Sequence, residues 1–233
     1  MNEQEHKKGI INPFLAKALI AFATLNLIVF ALILQLNPED KALQYSEKMF
    51  NMALQLQKEG RGDMALKYYD KIIEKYPKSI FTDRAVFNTA EVDLRLQYQF
   101  DEAVKYYKKV IDEYPTSYLV PKAKLNIDFI QNHRDFDGKT LVLFYQASAY
   151  KRAKEYDKAI ETLNMILTEY PDSNMEPVAI YWIGKIQDDF LGKTDEAYKT
   201  YRKLCQKYPG FKEAKEVYPI LQQVGIEVPE MNK

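Results

Sequence analysis

Imidazole and thiol groups, which carry most metal binding and nucleophilic catalysis, are nearly absent. The 233 residues include two histidines, His6 and His133, and one cysteine, Cys205. Zinc sites and thiol catalysis need several such groups at short spacings, so neither can be assembled. No G-x-x-x-x-G-K-[ST], G-x-G-x-x-G or G-x-S-x-G occurs, and only eight glycines are present, so phosphate cradles and nucleophile elbows are unsupported. Acidic neighbours such as Asp188 and Asp189 could in principle divide acid and base roles, but adjacent helical residues point to different sides and read as solubilising charge. No enzyme, cofactor or small-molecule substrate is therefore expected. The recognition-capable groups are aromatic: Phe50, Phe87, Phe144 and Tyr181, followed directly by Asn51, Asn88, Tyr145 and Trp182. Aromatic anchors beside polar handles suit an apolar peptide or helix from a protein partner. The competing reading is that these rings pack between helices. The charges nearby, Glu91, Arg95, Lys151, Arg152, Lys185 and Asp188, read as a mixed solvated face, with Glu91 and Lys185 counted among the candidate partner-binding residues of the groove.

These aromatics share a position because the chain repeats itself. An Asp-x-Ala turn, two aromatic-rich helical turns and Tyr-Pro occur four times: Asp63-Met-Ala65 to Tyr76-Pro77, Asp101-Glu-Ala103 to Tyr114-Pro115, Asp157-Lys-Ala159 to Tyr170-Pro171, and Asp195-Glu-Ala197 to Tyr208-Pro209. The prolines are spaced 38, 56 and 38 residues apart, an array with one 18-residue insertion. Repetition at this period predicts stacked helix pairs. Periodicity places helices near Glu39 to Lys58, Asp63 (as cap) to Lys75, Thr82 to Leu96, Asp101 to Glu113, Thr140 to Lys154, Asp157 to Thr168, Glu176 to Phe190 and Thr194 to Lys207. The insertion adds a helix from about Val120 to Asn132 and a polar turn from His133 to Lys139. Phe211 to Val224 reads as a terminal capping helix. Cys205 shares its repeat position with Ile73, Ile111 and Leu167, which makes it a small buried hydrophobe rather than a reactive thiol.

Four segments follow: a tail at 1–12, a membrane anchor at 13–37, a solenoid at 38–225 and a frayed end at 226–233. Phe14 to Leu36 is apolar except for Lys17, Thr24, Asn26 and Gln35. A 23-residue helix is about 34 Å long, enough to cross a hydrocarbon core of about 30 Å. The stretch is too long for a signal-peptide core and no small-x-small cleavage site follows it. Lys7, Lys8 and Lys17 on one side against Lys41 and Lys48 on the other place the tail in the cytoplasm and the repeats outside it. The 33 basic residues balance 33 acidic ones, so the field that draws proteins onto nucleic acid is missing.

The repeat resembles the tetratricopeptide family. In the second helix of each pair, Ala65, Ala103, Ala159 and Ala197 are followed four residues on by Tyr69, Tyr107, Leu163 and Tyr201, of which Leu163 departs from the family's aromatic. In the first helix the small residue is Ala53, Ala90, Ala147 and Gly184. The endings Tyr76-Pro-Lys-Ser79, Tyr114-Pro-Thr-Ser117 and Tyr170-Pro-Asp-Ser173 are similar to those of membrane-anchored bacterial envelope members, among them components of secretion, outer-membrane assembly and Tol-Pal coordination. The resemblance implies an all-α, right-handed solenoid of about four pairs, with first helices lining a concave groove that binds a protein partner in an envelope complex. The family's carboxylate clamp is not reproduced, because Phe50 and Leu54 stand where it has Lys and Asn.

Overall fold

The structure, a computed structural model, describes residues 14, 17–18, 21–28 and 38–228. From Pro38 the described chain forms ten α-helices and no strand: α1 Pro38–Lys58, α2 Gly62–Lys75, α3 Thr82–Val92, α4 Phe100–Glu113, α5 Val120–His133, α6 Lys139–Arg152, α7 Tyr156–Glu169, α8 Glu176–Asp189, α9 Thr194–Lys207 and α10 Lys212–Gln223. The expected helices are all present. Asp63 does not cap α2; Arg61 holds that position, and the Asp63 carboxylate accepts instead from Gln97 Nε2 at 2.9 Å. The expected span from Phe14 to Leu36 lies largely outside the described residues. Those described within it, including residues 21–28, are helical and exposed, and among the described residues no helix is long and apolar enough to cross a membrane.

Each pair is built around a small residue facing a large one. Ala53, Ala90 and Ala147 are buried, as are Ala65, Ala103, Ala159 and Ala197, so paired helices approach closely. Tyr69, Tyr107, Leu163 and Tyr201, each at most 2% exposed, fill the space between them. At Gly184 even a methyl group is excluded: an added Cβ would lie 2.3 Å from Tyr201 Cε1. The tyrosine before each repeat proline leaves the helix at φ between −129° and −131°, because a following proline disfavours α geometry. The first two repeat serines then tie the turn to the preceding first helix, whereas Ser173 Oγ is buried without a hydrogen-bond partner. Ser79 Oγ lies 2.7 Å from Ser46 Oγ, and Ser117 Oγ donates to Asp83 at 2.6 Å.

Within each pair the chain reverses at a left-handed residue placed five before the second-helix alanine: Gly60, Tyr98, Lys154 and Gly192. The small residue of the first helix precedes that alanine by 12 residues in pairs one and three, but by 13 in pairs two and four. The structure absorbs the extra residue by widening the helix end. Pairs one and three close with Arg61 N to Leu56 O and Glu155 N to Tyr150 O, whereas pairs two and four close one residue wider, with Gln99 N to Asp93 O and Lys193 N to Gln187 O. In pair two the widened segment is a π-turn, Asp93–Gln97.

The insertion is a first helix without a second. α5 packs on pair two as α3 packs on pair one: Arg84 lies over the Phe50 ring at 4.5 Å, and Lys122 lies over Phe87 at 5.0 Å. The chain then turns instead of forming a partner helix, and α6 opens the next pair. Phe136, Asp137 and Gly138 take positive φ in succession. Gly138 is required twice over, since a Cβ there would also meet Phe100 Cε2 at 2.9 Å. Arg134 pairs with Asp101 at the start of α4, while Asp135 accepts from Thr140 and from Asn174 N. This connector therefore clamps α4, α6 and the turn before α8 together. At the far end α10 buries Ala214, Val217 and Leu221 against α9, and Ile226 and Val228 fold back onto the same cluster, so the described part of the tail is packed rather than frayed.

Candidate functional site

The aromatic stripe divides between core and surface. Phe50 is 2% exposed against Tyr69 and Phe81, with ring centroids 5.9 and 5.4 Å away, and Phe87 is 3% exposed against Tyr107 at 5.4 Å. These two rings cannot line an open groove; they hold pairs one and two together. Phe144 and Tyr181 are half-buried and reach the surface, Phe144 at 5.5 Å from Phe129 and Tyr181 at 6.5 Å from Tyr201. The neighbouring position faces the preceding first helix. Tyr145, 5% exposed, has the Arg95 guanidinium 5.5 Å over its ring, and Trp182 has Lys151 Nζ at 3.6 Å. Asn51, on the first helix of the array, is exposed, and half-buried Asn88 donates to Arg84 O.

Glu91 is a structural acid. Its carboxylate, in a residue 8% exposed, accepts from Tyr107 Oη at 2.6 Å, Asn126 Nδ2 at 2.8 Å and Arg95 Nε at 2.7 Å, which joins α3, α4 and α5. A buried carboxylate with three donors is well satisfied and is committed to holding the helices together. Lys185 is half-buried and paired with Asp189 at 2.7 Å.

Two openings lie along the first helices. A cleft of about 670 Å³ runs between the end of α1, the π-turn and the end of α6, lined by Leu54, Gln57, Lys58, Arg95, Leu96, Ala149 and Arg152. Beside it, between α6 and α8, a narrow apolar crevice is walled by Phe144, Ala147, Leu163, Trp182 and Ile186, with Ser148 and Lys151 at its mouth. Burial and the neighbouring Arg152 hold the Lys151 ammonium below its usual range. Burial and Arg95 do the same to Arg152. Sequence reading found Phe144 and Trp182 but not their convergence with Lys151. It also took Arg95 and Arg152 for surface charge, because the π-turn that aims Arg95 into the cleft leaves no signature except the longer spacing.

Cys205 is fully buried with Sγ 3.6 Å from Ala214 O, and burial pushes its thiol up, away from the reactive thiolate. Among the described residues no group of three or more His, Cys, Asp or Glu side chains can hold a metal ion.

A family model for the tetratricopeptide repeat matches residues 49–79, 84–117, 141–173 and 178–210, more than half of the chain. The four matches fall on the four complete pairs and leave α5 unmatched. No curated protein matches the chain. Among solved structures, a tetratricopeptide repeat protein from Parabacteroides merdae is similar at 18% identity and a TM-score of 0.34, over 77% of this chain and 60% of that one. The chain thus spans about three-fifths of that relative's length.

Proposed function

Because this chain belongs to the tetratricopeptide repeat family, whose repeats mediate protein–protein interactions, we propose that it is a non-enzymatic, membrane-tethered scaffold holding a protein partner in its concave face. The observation that carries this reading is the pair of adjoining openings along the first helices, with Phe144, Trp182, Arg95 and Arg152 all reaching them. A cleft shared by three repeats engages an extended segment rather than a small molecule.

The tether is the segment Phe14 to Leu36. Its described apolar side chains are left uncovered by the repeats: Phe22 and Leu27 are each 67% exposed. Two of its polar side chains satisfy themselves, Asn26 Nδ2 donating to Phe22 O and Thr24 Oγ1 to Ala21 O, both at 2.9 Å, as a helix in hydrocarbon requires. The excess of Lys7, Lys8 and Lys17 over Lys41 and Lys48 orients the tail to the cytoplasm and the repeats to the extracytoplasmic side, which suits a bacterial envelope complex of assembly, secretion or folding. α1 starts at Pro38, so the scaffold stands at the membrane surface and its partner's effective concentration rises there.

The test is a mild-detergent pull-down of the full chain from its native membrane beside a version lacking residues 1–37. A partner kept by both supports recognition by the repeats. A partner lost with the anchor would instead make the protein a structural subunit assembled through its membrane helix.

A further inference from the structure

Resting on the concave face as the binding surface, the geometry points to the chemistry of the segment it takes: one apolar side chain set into the crevice between α6 and α8, flanked by carboxylates that meet Lys151, Arg152 and Lys58. The crevice encloses about 30 Å³ between apolar walls, room for the tip of one side chain. Its mouth is cationic, with Asp189 and Glu91 acting on Lys151 and Arg152 only from beyond ion-pair distance. Lys151 stands 3.6 Å from the Trp182 ring centroid and has no carboxylate partner among the described residues. Arg152, next in sequence, has one side-chain hydrogen bond, to Ser148 Oγ at 3.2 Å.

The acids near them are already taken. Glu91 is paired with Arg95 at 2.7 Å, Asp189 with Lys185 at 2.7 Å and Glu59 with Arg61 at 3.5 Å. Lys58, Lys151 and Arg152 therefore leave an excess of positive charge around two openings that meet on α6, with Arg95 paired yet still facing the cleft. The proton affinities of Lys151 and Arg152 are depressed by burial first and then by a neighbouring cation, Arg152 for Lys151 and Arg95 for Arg152. An incoming carboxylate relieves that repulsion, whereas a basic segment adds to it. Complementarity of this kind sets which partner binds and how fast it associates. The apolar side chain in the crevice supplies the anchor that interfaces concentrate their energy in.

The probe is a terminally blocked peptide, Glu-Asp-Leu-Phe-Asp-Glu, titrated into the full chain to about 1 mM, the weak end of reversible recognition. Readouts are the emission of Trp182, the sole tryptophan, and calorimetry. Saturable binding is expected, with no binding of the charge-reversed peptide Lys-Lys-Leu-Phe-Lys-Lys. A variant joining Lys151→Gln and Arg152→Gln should weaken it by about tenfold or more and flatten its salt dependence. Ser148→Phe, which plugs the mouth without entering the core and leaves Trp182 the sole tryptophan, should abolish the emission change. Equal binding of both peptides, or none of either by 1 mM, overturns the inference. The same variants in the membrane pull-down separate the two ideas. Partners retained by both variants sink the acidic-segment inference alone, while a wild-type chain that captures no partner through its repeats sinks the scaffold reading itself.

Discussion

Single residues carry the fit between helices, and Gly184 is the sharpest case. The equivalent alanines Ala53 and Ala90 face Tyr69 and Tyr107 without difficulty, but at Gly184 the Tyr201 ring already occupies the space of a Cβ. Gly184→Ala should destabilise by about 1–3 kcal/mol through overpacking, despite alanine's better helix propensity, and thermal melts would show it. An unchanged or raised Tm would contradict this packing account. Asp93 is a different kind of strain. It is 4% exposed, no hydrogen bond or ion pair reaches its carboxylate among the described residues, and burial together with Glu102 and Asp70 pushes its pKa up to about 6, against a smaller pull from Lys105. The folded state then holds this proton more tightly than the unfolded chain, so the contribution to stability is full below the ordinary carboxylate pKa and is lost as pH rises through about 6. Asp93→Asn should therefore stabilise the protein at pH 8 by on the order of 2 kcal/mol and do little at pH 4. Melts across pH 4 to 8 in which the difference does not widen as pH rises would refute it. In the sequence Asp93 is one acid among 33; nothing in its neighbours announces burial, because the π-turn that removes it from water is a tertiary outcome.

Among the elements, much was legible. The Asp-x-Ala and Tyr-Pro blocks give helix number, order and ends, because proline and the small-to-aromatic spacing act locally. What eluded reading was how pairs two and four spend their extra residue, although the 12 and 13 spacings were visible in principle. The four left-handed residues five before each alanine are a mixed set, two glycines with Tyr98 and Lys154, so no common residue type marks them. Their shared geometry makes a paired prediction. Lys154→Gly should raise stability by about 0.5–1 kcal/mol by relieving a left-handed conformation that costs an L-residue, and Gly60→Ala, with nothing near its added Cβ, should lower it by about 1 kcal/mol. Denaturant melts giving the same sign for both changes would refute the backbone account. The role of α5 was also beyond sequence. Its Tyr-Pro-x-Ser turn and Ala123 mark it as a first helix, but only packing reveals that the chain turns at Phe136 to Gly138 without supplying a second.

For the whole molecule, the two halves meet at that turn, and their meeting makes the cleft. α1, the π-turn and α6 converge on the cleft, where Arg95 of the π-turn lies over the Tyr145 ring of α6. Of the four stripe aromatics, Phe144 lines the crevice beside it and Tyr181 is half-buried without lining either opening, whereas Phe50 and Phe87 pack against core rings; the same local pattern serves both ends. The central claim is that a protein partner occupies this concave face, and photocrosslinking in native membranes tests it most directly. A photoreactive residue placed at Lys58 in the cleft is compared with one at Lys108, exposed on the second helix α4. The account predicts a discrete crosslinked partner from position 58 and none from position 108; crosslinks from position 108 alone, or equally from both, would contradict it.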